Sequence, residues 1–384
     1  MTKLISRGII FGLLLLSASS VVIQAGDNDS KITPKELTAI LDKARTKHDV
    51  PALAAGIVRG GGEKPRVAVA GVRKRGSATR VTIDDQWHLG SNSKPITAFL
   101  IALLIDLGLL DWDTPLGDIF PEHAKKWDAG LKKITPAHLL THTSGLPEIG
   151  PVRQFQAAPS QKSPQQDRAK IIQDLGGVEL SSVPGEKFEY SNLGYVVLGA
   201  IVDRRGKAPW EEQVRKRLFQ PLGIKQWSLG TLYPGAALVQ PFPHQADGQP
   251  IPTMGVIDNP AVMNSSARIR ISAGDYCMFL AETLRAARGE KGLLKPATAK
   301  KLFSNPHPAS THTMSSWFSN RKQPGAKGLM LGHEGSNVLN YCSVVIAVDD
   351  NLAVAVLCNQ GAPGGPGGKA CSELREELFR REKR

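Results

Sequence analysis

An almost uninterrupted apolar run at residues 96–110 constrains the fold of this chain more than any other feature. The run is long enough for about four helical turns, and its apolar side chains occupy the whole circumference instead of one stripe. Such a helix has to be enclosed on all sides by other segments. A chain of 384 residues can build that enclosure in one large domain or in two intertwined lobes. The run therefore predicts a central, fully buried helix.

The two ends of the chain carry mixed helix and strand signals. Thr33 and Glu36 form a capping box with Pro34 at the first helical position, which predicts the start of a helix. Two strand-like runs follow at 52–58 and 66–72, with three consecutive glycines between them. Later signals predict a helix at 275–288, a hairpin with strands at 340–348 and 352–358, a glycine-rich linker at 361–368 and a final helix from about Ser372.

The middle of the chain is mostly helical in pattern, and its polar, poorly patterned segment at 154–166 predicts a surface loop. These signals together predict an α+β fold. One antiparallel sheet would be built from both chain ends and covered by the N- and C-terminal helices, with a mostly helical lobe inserted. We expect a single domain at 30–384, with an α/β lobe at about 30–90 and 256–384 and a helical lobe at about 91–255.

Residues 1–25 have the layout of a secretory signal peptide. Lys3 and Arg7 precede an apolar stretch at 9–23, and Ala25 suits the last residue before cleavage. The stretch is short for a membrane-spanning helix, which needs roughly 20 apolar residues. We therefore expect export to the periplasm or the extracellular space, without stable membrane insertion after cleavage. An uncleaved N-terminal anchor is the alternative.

The net charge of +13 and the pI of about 9.6 raise the question of a nucleic-acid partner. The lysines and arginines are scattered along the chain, and no recognisable nucleic-acid module accompanies them. A generally basic surface, or attraction to anionic wall or membrane surfaces, explains the charge as well. We expect no nucleic-acid partner.

Export would permit disulfides without requiring them. Two of the four cysteines, Cys342 and Cys358, lie on the two hairpin strands, which are separated by the polar residues 349–351. With a three-residue loop, Cys342 would face Cys358 across the hairpin. A disulfide or a pair of buried free thiols are both compatible with that pattern, and none of the four cysteines has metal-ligand spacing.

A Ser-x-x-Lys pattern, Ser91 to Lys94, directly precedes the apolar run. Serine is a favoured N-cap residue, and Pro95 is tolerated in a first turn because the amides there have no intrahelical partner. The hydroxyl would then lie at the positive end of a helix, and Lys94 would share its face three residues later. A partly desolvated lysine can act as a base. The alternative without a catalytic role is a serine that only caps the helix, beside a lysine exposed to solvent.

Two further segments add groups suited to acyl transfer. Tyr190 and Asn192, in the context Pro-Gly…Tyr-Ser-Asn-x-Gly-Tyr, present a proton relay and a hydrogen-bonding amide from one loop. The segment 332–337, Gly-His-Glu-Gly-Ser-Asn, precedes the hairpin strands. A backbone N–H from it, paired with that of Ser91, would form an oxyanion hole.

With these segments and His-Leu-Leu-Thr-His-Thr-Ser-Gly-Leu-Pro at 138–147, the chain resembles the serine β-lactamase-related superfamily. It is most similar to the branch of class C β-lactamases, D-alanyl-D-alanine carboxypeptidases and related esterases, from about Leu37 to Asn359. The resemblance implies the β-lactamase/transpeptidase-like fold. It also implies an acylated nucleophile at Ser91, its proton-transfer partner at Lys94, a general base at Tyr190 and substrate contacts from Asn192, His333, Gly335 and Ser336.

This sequence departs from the family pattern where His333, Glu334 and Gly335 replace Lys-Thr-Gly. The usual grip on a substrate carboxylate is thereby changed, and we do not expect efficient β-lactamase activity. The resemblance implies hydrolysis of D-amino-acid peptides, short esters or β-lactams, in that order, without a metal or organic cofactor. The alternative is a module that binds penicillin or cell-wall peptides with little or no turnover.

Three other patterns carry less weight. His138 and His142 are one helical turn apart, but the metalloprotease motif needs a glutamate where Leu139 stands. We interpret both histidines as structural hydrogen-bonding residues. The segment 365–370 resembles a phosphate loop only in its glycine content, and no Gly-x-Ser-x-Gly elbow is present.

Overall fold

Nine strands form two antiparallel sheets in the computed structural model, which describes residues 31–157, 162–230, 238–252, 258–319 and 327–383. The predicted signal segment lies outside these residues. The strands are β1 (Ala52–Arg59), β2 (Arg66–Gly71), β3 (Gln86–His88), β4 (Trp227–Leu229), β5 (Ile269–Ser272), β6 (Phe318–Ser319), β7 (Met330–Ser336), β8 (Tyr341–Ala347) and β9 (Leu352–Cys358). The main sheet has the order β2-β1-β9-β8-β7-β6, and the smaller one has the order β3-β5-β4.

Some helices cover the main sheet, and most of the others lie in the part of the sequence between its N-terminal and C-terminal strands. They are α1 (Pro34–Lys47), α2 (Ser93–Asp106), α3 (Leu116–Ile119), α4 (Pro121–Ala124), α5 (Ala129–Lys133), α6 (Pro136–Leu140), α7 (Arg153–Ala157), α8 (Pro164–Asp174), α9 (Asn192–Arg205), α10 (Trp210–Val214), α11 (Asn264–Ala267), α12 (Ala273–Ala287), α13 (Pro296–Leu302) and α14 (Pro366–Glu382). Among the described residues, none of these helices combines the length and the hydropathy that a bilayer crossing needs.

Both ends of the chain build the main sheet, as the sequence predicts. Strands β1 and β2 come from the N-terminal side, and β6 to β9 come from the C-terminal side, with every pairing antiparallel. Helices α1 and α14 bury their apolar stripes against one face, whereas α12 packs on the other face, against β1 and β9. The predicted α+β architecture with flanking terminal helices is therefore confirmed.

The apolar run forms helix α2, which is buried from Ser93 to Leu104 with no exposed side. Helices α9 and α11 pack against it. The predicted end of the helix was wrong, because α2 stops at Asp106, and Leu107 is 54% exposed. Gly108 adopts a φ of +69° there, and the chain leaves the helical path.

Two other predicted boundaries were also wrong. The predicted loop at 154–166 contains most of α7, and it contains the capping box of Ser163 and Gln166 that starts α8. The last helix begins at Pro366, six residues before the predicted start at Ser372. Its first turn is rich in glycine, which the sequence pattern presents as a linker.

The register of the β8–β9 hairpin differs by one residue from the prediction. The turn has four residues, Val348 to Asn351, and is closed by a hydrogen bond from the Asn351 amide to the Val348 carbonyl at 3.1 Å. Cys342 therefore pairs with Leu357, and Cys358 pairs with Tyr341. Because side chains alternate between the faces of a sheet, Cys342 and Cys358 point to opposite faces. The cross-strand disulfide is excluded, and the structure holds all four cysteines in the reduced form.

Candidate active site

Ser91 lies in a single 3₁₀ turn, Gly90–Asn92, between strand β3 and helix α2. The expected N-cap role of Ser91 was wrong, because Asn92 occupies that position and makes no capping hydrogen bond through its side chain. The Ser91 hydroxyl is thus not engaged by the first turn of the helix. It is available to side chains from other parts of the chain.

The backbone at the end of strand β7 packs closely against the turn that contains Ser91. Gly90 has a φ of +52°, and a Cβ at this position would collide with the backbone nitrogen of Ser336. A Cβ on Gly335 would collide with the carbonyl oxygen of Leu89. Only glycine at both positions permits this approach. The approach brings the amide of Ser336 beside the turn that carries Ser91.

Lys94 is fully buried, and its Nζ lies 3.2 Å from Ser91 Oγ. The same nitrogen lies 2.7 Å from Asn192 Oδ1 and 3.1 Å from the carbonyl oxygen of Ser266. Burial lowers the pKa of Lys94 to about 7, and the exposed Glu148 carboxylate partly opposes that shift. A neutral amine has two N–H donors for the two oxygens, which leaves its lone pair for the Ser91 hydroxyl.

Tyr190 also reaches Ser91, and the Lys94 amine lies over its ring, with Nζ 4.7 Å from the ring centroid. Its hydroxyl donates a hydrogen bond of 2.7 Å to Ser91 Oγ. Burial raises the pKa of Tyr190, a hydrogen bond with Ser91 acts in the opposite direction, and Glu148 adds to the increase. Near neutral pH the phenol is therefore protonated. The structure brings the predicted trio of Ser91, Lys94 and Tyr190 into direct contact.

Asn192 is the first residue of helix α9, and its side-chain oxygen accepts from Lys94 as described above. Ser191 caps the helix, since its Oγ accepts from the Gly194 amide at 2.9 Å. The same hydroxyl donates to the Pro147 carbonyl at 2.8 Å. The cap fixes the point at which the chain passes from Tyr190 to Asn192. It thereby sets the spacing between the phenol and the amide.

A family model described as Beta-lactamase matches residues 37–375, most of the chain. The chain belongs to this Beta-lactamase family.

One curated relative of this Beta-lactamase family chain is "Penicillin-binding protein 4" from Amycolatopsis lactamdurans, with 31% identity over 185 residues. The match covers 48% of this chain and 46% of that relative, so the chain spans about half of the relative's length.

Two solved structures share the fold of this family member. D-amino acid amidase from Ochrobactrum anthropi SV3, complexed with L-phenylalanine amide, has a TM-score of 0.70 and 21% identity, covering 91% of this chain and 98% of that one. The octameric penicillin-binding protein homologue from Pyrococcus abyssi has a TM-score of 0.69 and 19% identity, covering 90% and 76%. At these identities the likeness shows the fold alone.

His333 and Glu334, which the resemblance places at the family's Lys-Thr positions, point to opposite faces of the sheet. His333 is buried near the rings of Trp317 and Phe318, with ring centroids 6.1 and 5.7 Å away. Glu334 faces the other side, where the Tyr341 hydroxyl donates to its carboxylate at 2.8 Å. Only His333 of this pair therefore shares a face with the buried aromatic side chains described next.

A buried layer of aromatic rings supports Tyr190 in this family member. The His142 ring stacks on Tyr190 with centroids 4.4 Å apart, and His142 Nδ1 accepts from the Ser191 amide at 3.1 Å. His312 packs against His142 and Phe318, at 5.1 and 3.8 Å between centroids. Burial lowers the pKa of His312 to about 3, and the charge of Lys94 acts in the same direction.

The sequence patterns did not point to a place for these histidines at the site. His142 and His138 are structural hydrogen-bonding residues, as interpreted, since His138 Nδ1 accepts from the Thr135 amide at 3.2 Å. The stacking of His142 on Tyr190 and the position of His312 have no short-range signal, because both contacts join distant segments. Among the described residues, no cluster of three or more His, Cys, Asp or Glu side chains has an arrangement that could hold a metal ion.

Proposed function

We propose that this protein is an exported serine hydrolase that forms a covalent acyl-enzyme on Ser91. The observation that carries the proposal is the position of Ser91 Oγ between the Lys94 amine at 3.2 Å and the Tyr190 hydroxyl at 2.7 Å. A nucleophile within hydrogen-bond reach of a base and a second proton-transfer group is the arrangement that acyl transfer needs.

The pKa directions of Lys94 and Tyr190 support a division of the two proton-transfer roles. Lys94, with a pKa of about 7, has a large neutral fraction near pH 7 and accepts the Ser91 proton as Oγ attacks the carbonyl carbon. Tyr190 stays protonated and donates its proton to the leaving group as the bond to that group breaks. Lys94 then returns its proton to the phenolate. This division gives the role of general base to Lys94, whereas the family resemblance implies Tyr190.

The negative oxygen that forms on the carbonyl is held, in this proposal, by the amides of Ser91 and Ser336. The glycine-mediated approach of strand β7 to the Ser91 turn supports the pairing of these two amides. The N-terminus of helix α2 adds its positive end nearby. Water then attacks the acyl-enzyme as the proton route runs in reverse. Tyr190 passes its proton to Lys94 and takes one from the water, Lys94 protonates Ser91 Oγ as the acyl bond breaks, and the acid is released.

We propose D-amino-acid peptides and amides as the first substrate class, followed by short esters and then β-lactams. Glu148 supports this order, because its exposed carboxylate is close enough to Lys94 and Tyr190 to act electrostatically on both. A negative charge there disfavours a substrate carboxylate and favours a protonated amine. A lysine at position 333 would supply an ammonium group to bind such a carboxylate, and His333 has none.

Labelling with a fluorescent fluorophosphonate and a fluorescent penicillin tests the nucleophile. We expect the wild type to be labelled by the fluorophosphonate and the Ser91→Ala variant to be unlabelled. Undiminished labelling of that variant would overturn the assignment of Ser91. A label that attaches from penicillin and never leaves would favour a binding module for penicillin or wall peptides.

A substrate panel then tests the proposed class. It would contain a D-amino acid amide, a D-Ala-D-Ala peptide, the N-acetylated form of each, nitrophenyl esters and a chromogenic cephalosporin. We expect the highest kcat/KM for substrates with a free amine, and equal rates for the free and acetylated forms would contradict the role of Glu148. Export rests on residues 1–25 alone, and fractionation of cells that express the full chain tests it.

A further inference from the structure

Cys358 ends strand β9 and faces helix α14 across one side of the main sheet. It is 1% exposed and belongs to the core between the sheet and the two terminal helices. A Cβ built on Gly367, in the first turn of α14, would lie 3.4 Å from Cys358 Sγ. The sulfur of Cys358 is therefore directed at that turn.

Cys371 lies one helical turn after Gly367, on the same face of α14, because residues four apart share a face. Its Sγ is 4.0 Å from the carbonyl oxygen of Tyr341, and Tyr341 is the direct partner of Cys358 in the β8–β9 pairing. The two thiols also interact directly with each other, as the thiol of Cys358 affects the ionisation of Cys371. The contact with Tyr341 and the shared face with Gly367 therefore bring the sulfur of Cys371 to the side of the sheet where Cys358 lies.

We infer that Cys358 and Cys371 form a disulfide when the chain folds in an oxidising compartment. The oxidant is a low-molecular-weight disulfide, such as oxidised glutathione, or an oxidised protein dithiol. One cysteine thiolate attacks that disulfide and releases a thiol, and the second cysteine then displaces the remaining half as another thiol. Two protons and two electrons leave the pair, and the oxidant is reduced to two thiols.

The disulfide forms during folding, before the native packing around the two cysteines is complete. Burial raises the pKa of Cys371, and the neighbouring Cys358 adds to that increase. Because the thiolate is the reactive form, the pair reacts before α14 has packed on the sheet. Once formed, the bond would close the segment 358–371 and fasten the C-terminal helix to β9.

The other two cysteines lie on the opposite face of the sheet and remain thiols. Cys342 pairs with Leu357 and points away from α14. Cys277 is on helix α12, where its sulfur occupies the space beside Gly56 of β1. Strand β9 separates β1 from β8 in the sheet. The fold thus selects one pair out of the four cysteines.

Thiol titration of the full chain tests this inference without any assay of activity. The reduced chain is refolded with a mixture of reduced and oxidised glutathione, then denatured, treated with a maleimide and weighed by mass spectrometry. We expect two of the four cysteines to take the maleimide, and non-reducing peptide mapping to show a Cys358–Cys371 crosslink. Four labelled cysteines in the refolded protein, or a crosslink between any other pair, would overturn the inference.

Single variants provide matched controls. Cys277→Ala and Cys342→Ala each keep the proposed pair, so one thiol should remain titratable, whereas Cys358→Ala and Cys371→Ala should each leave three. In the wild type, reduction of the bond should lower Tm by roughly 4 °C, the scale for a loop of about 15 residues in a chain of this length. An unchanged Tm on reduction would also contradict the inference.

Discussion

The hydroxyl of Tyr190 lies 2.7 Å from Ser91 Oγ, although 99 positions separate the two residues in the chain. The contact depends on the loop before α9. His142 fixes this loop, because its ring stacks on Tyr190 and its Nδ1 accepts a hydrogen bond from the Ser191 amide. Lys94 reaches the same oxygen from within the helix that follows Ser91. The nucleophile thus has one local partner and one distant partner.

The pH dependence of hydrolysis should follow the neutral form of Lys94. Burial lowers the pKa of Lys94 to about 7, so the fraction of free amine falls as the pH drops through 7 and rises above it. We expect kcat/KM to increase with pH and to level off above about pH 8. A profile of kcat/KM from pH 5 to 9 with an uncharged ester measures this limb. A rate that is flat between pH 5 and 9 would contradict Lys94 as the base.

Glu148→Gln should shift the rise of kcat/KM with pH to lower pH values. The Glu148 carboxylate raises the pKa of Lys94 against the larger effect of burial, so loss of the charge lowers this pKa further. We expect a shift of about half a unit, the scale for a charge pair in mostly aqueous surroundings. The same ester assay provides the comparison. Glu179→Gln, at an exposed carboxylate that lines a cleft with Pro147 and Gly150, is a control that should leave the pH profile nearly unchanged.

Tyr190→Phe should reduce kcat by at least ~10²-fold, the usual scale for the loss of a general acid or base. The phenyl ring retains the stacking on His142, so folding should be unaffected and Tm should stay near the wild-type value. Amides should suffer more than nitrophenyl esters, because a nitrophenolate leaves without a proton. Equal losses for amides and nitrophenyl esters would argue against proton donation by Tyr190 to the leaving group.

Gly335→Ala should damage catalysis through the backbone. The added Cβ would collide with the Leu89 carbonyl and push the end of β7 away from the Ser91 turn. Loss of one donor to the oxyanion costs roughly 10²–10³-fold in kcat, and we expect a decrease of that order with KM changed less. Gly177→Ala is the matched control, since its Cβ meets no atom within 4 Å. A Gly335→Ala enzyme as active as this control would exclude Ser336 from the oxyanion site.

Much of the fold was predictable from local patterns. The capping box of Thr33 and Glu36, the apolar run at 96–110 and the alternation of strand residues act over a few positions, and the structure contains each corresponding element. The predictions that failed were element boundaries, the N-cap role of Ser91 and the register of the β8–β9 hairpin. Helix α14 begins at Pro366 because a glycine-rich turn can be helical when the sheet packs against it, and no local preference reveals that packing.

The sequence alone determined that Ser91 and Lys94 meet, because a separation of three residues at the start of a helix brings the side chains together, and that Tyr190 and Asn192 leave one loop. Only the tertiary structure decided that the Tyr190 hydroxyl meets Ser91 and that burial lowers the pKa of Lys94 to about 7. It also decided that Cys358 lies on the same face of the sheet as Cys371 and not on that of Cys342. The physical reason is the same in each case. Desolvation and strand register depend on segments far apart in the chain, and one additional residue in a turn reverses the face on which a side chain lies.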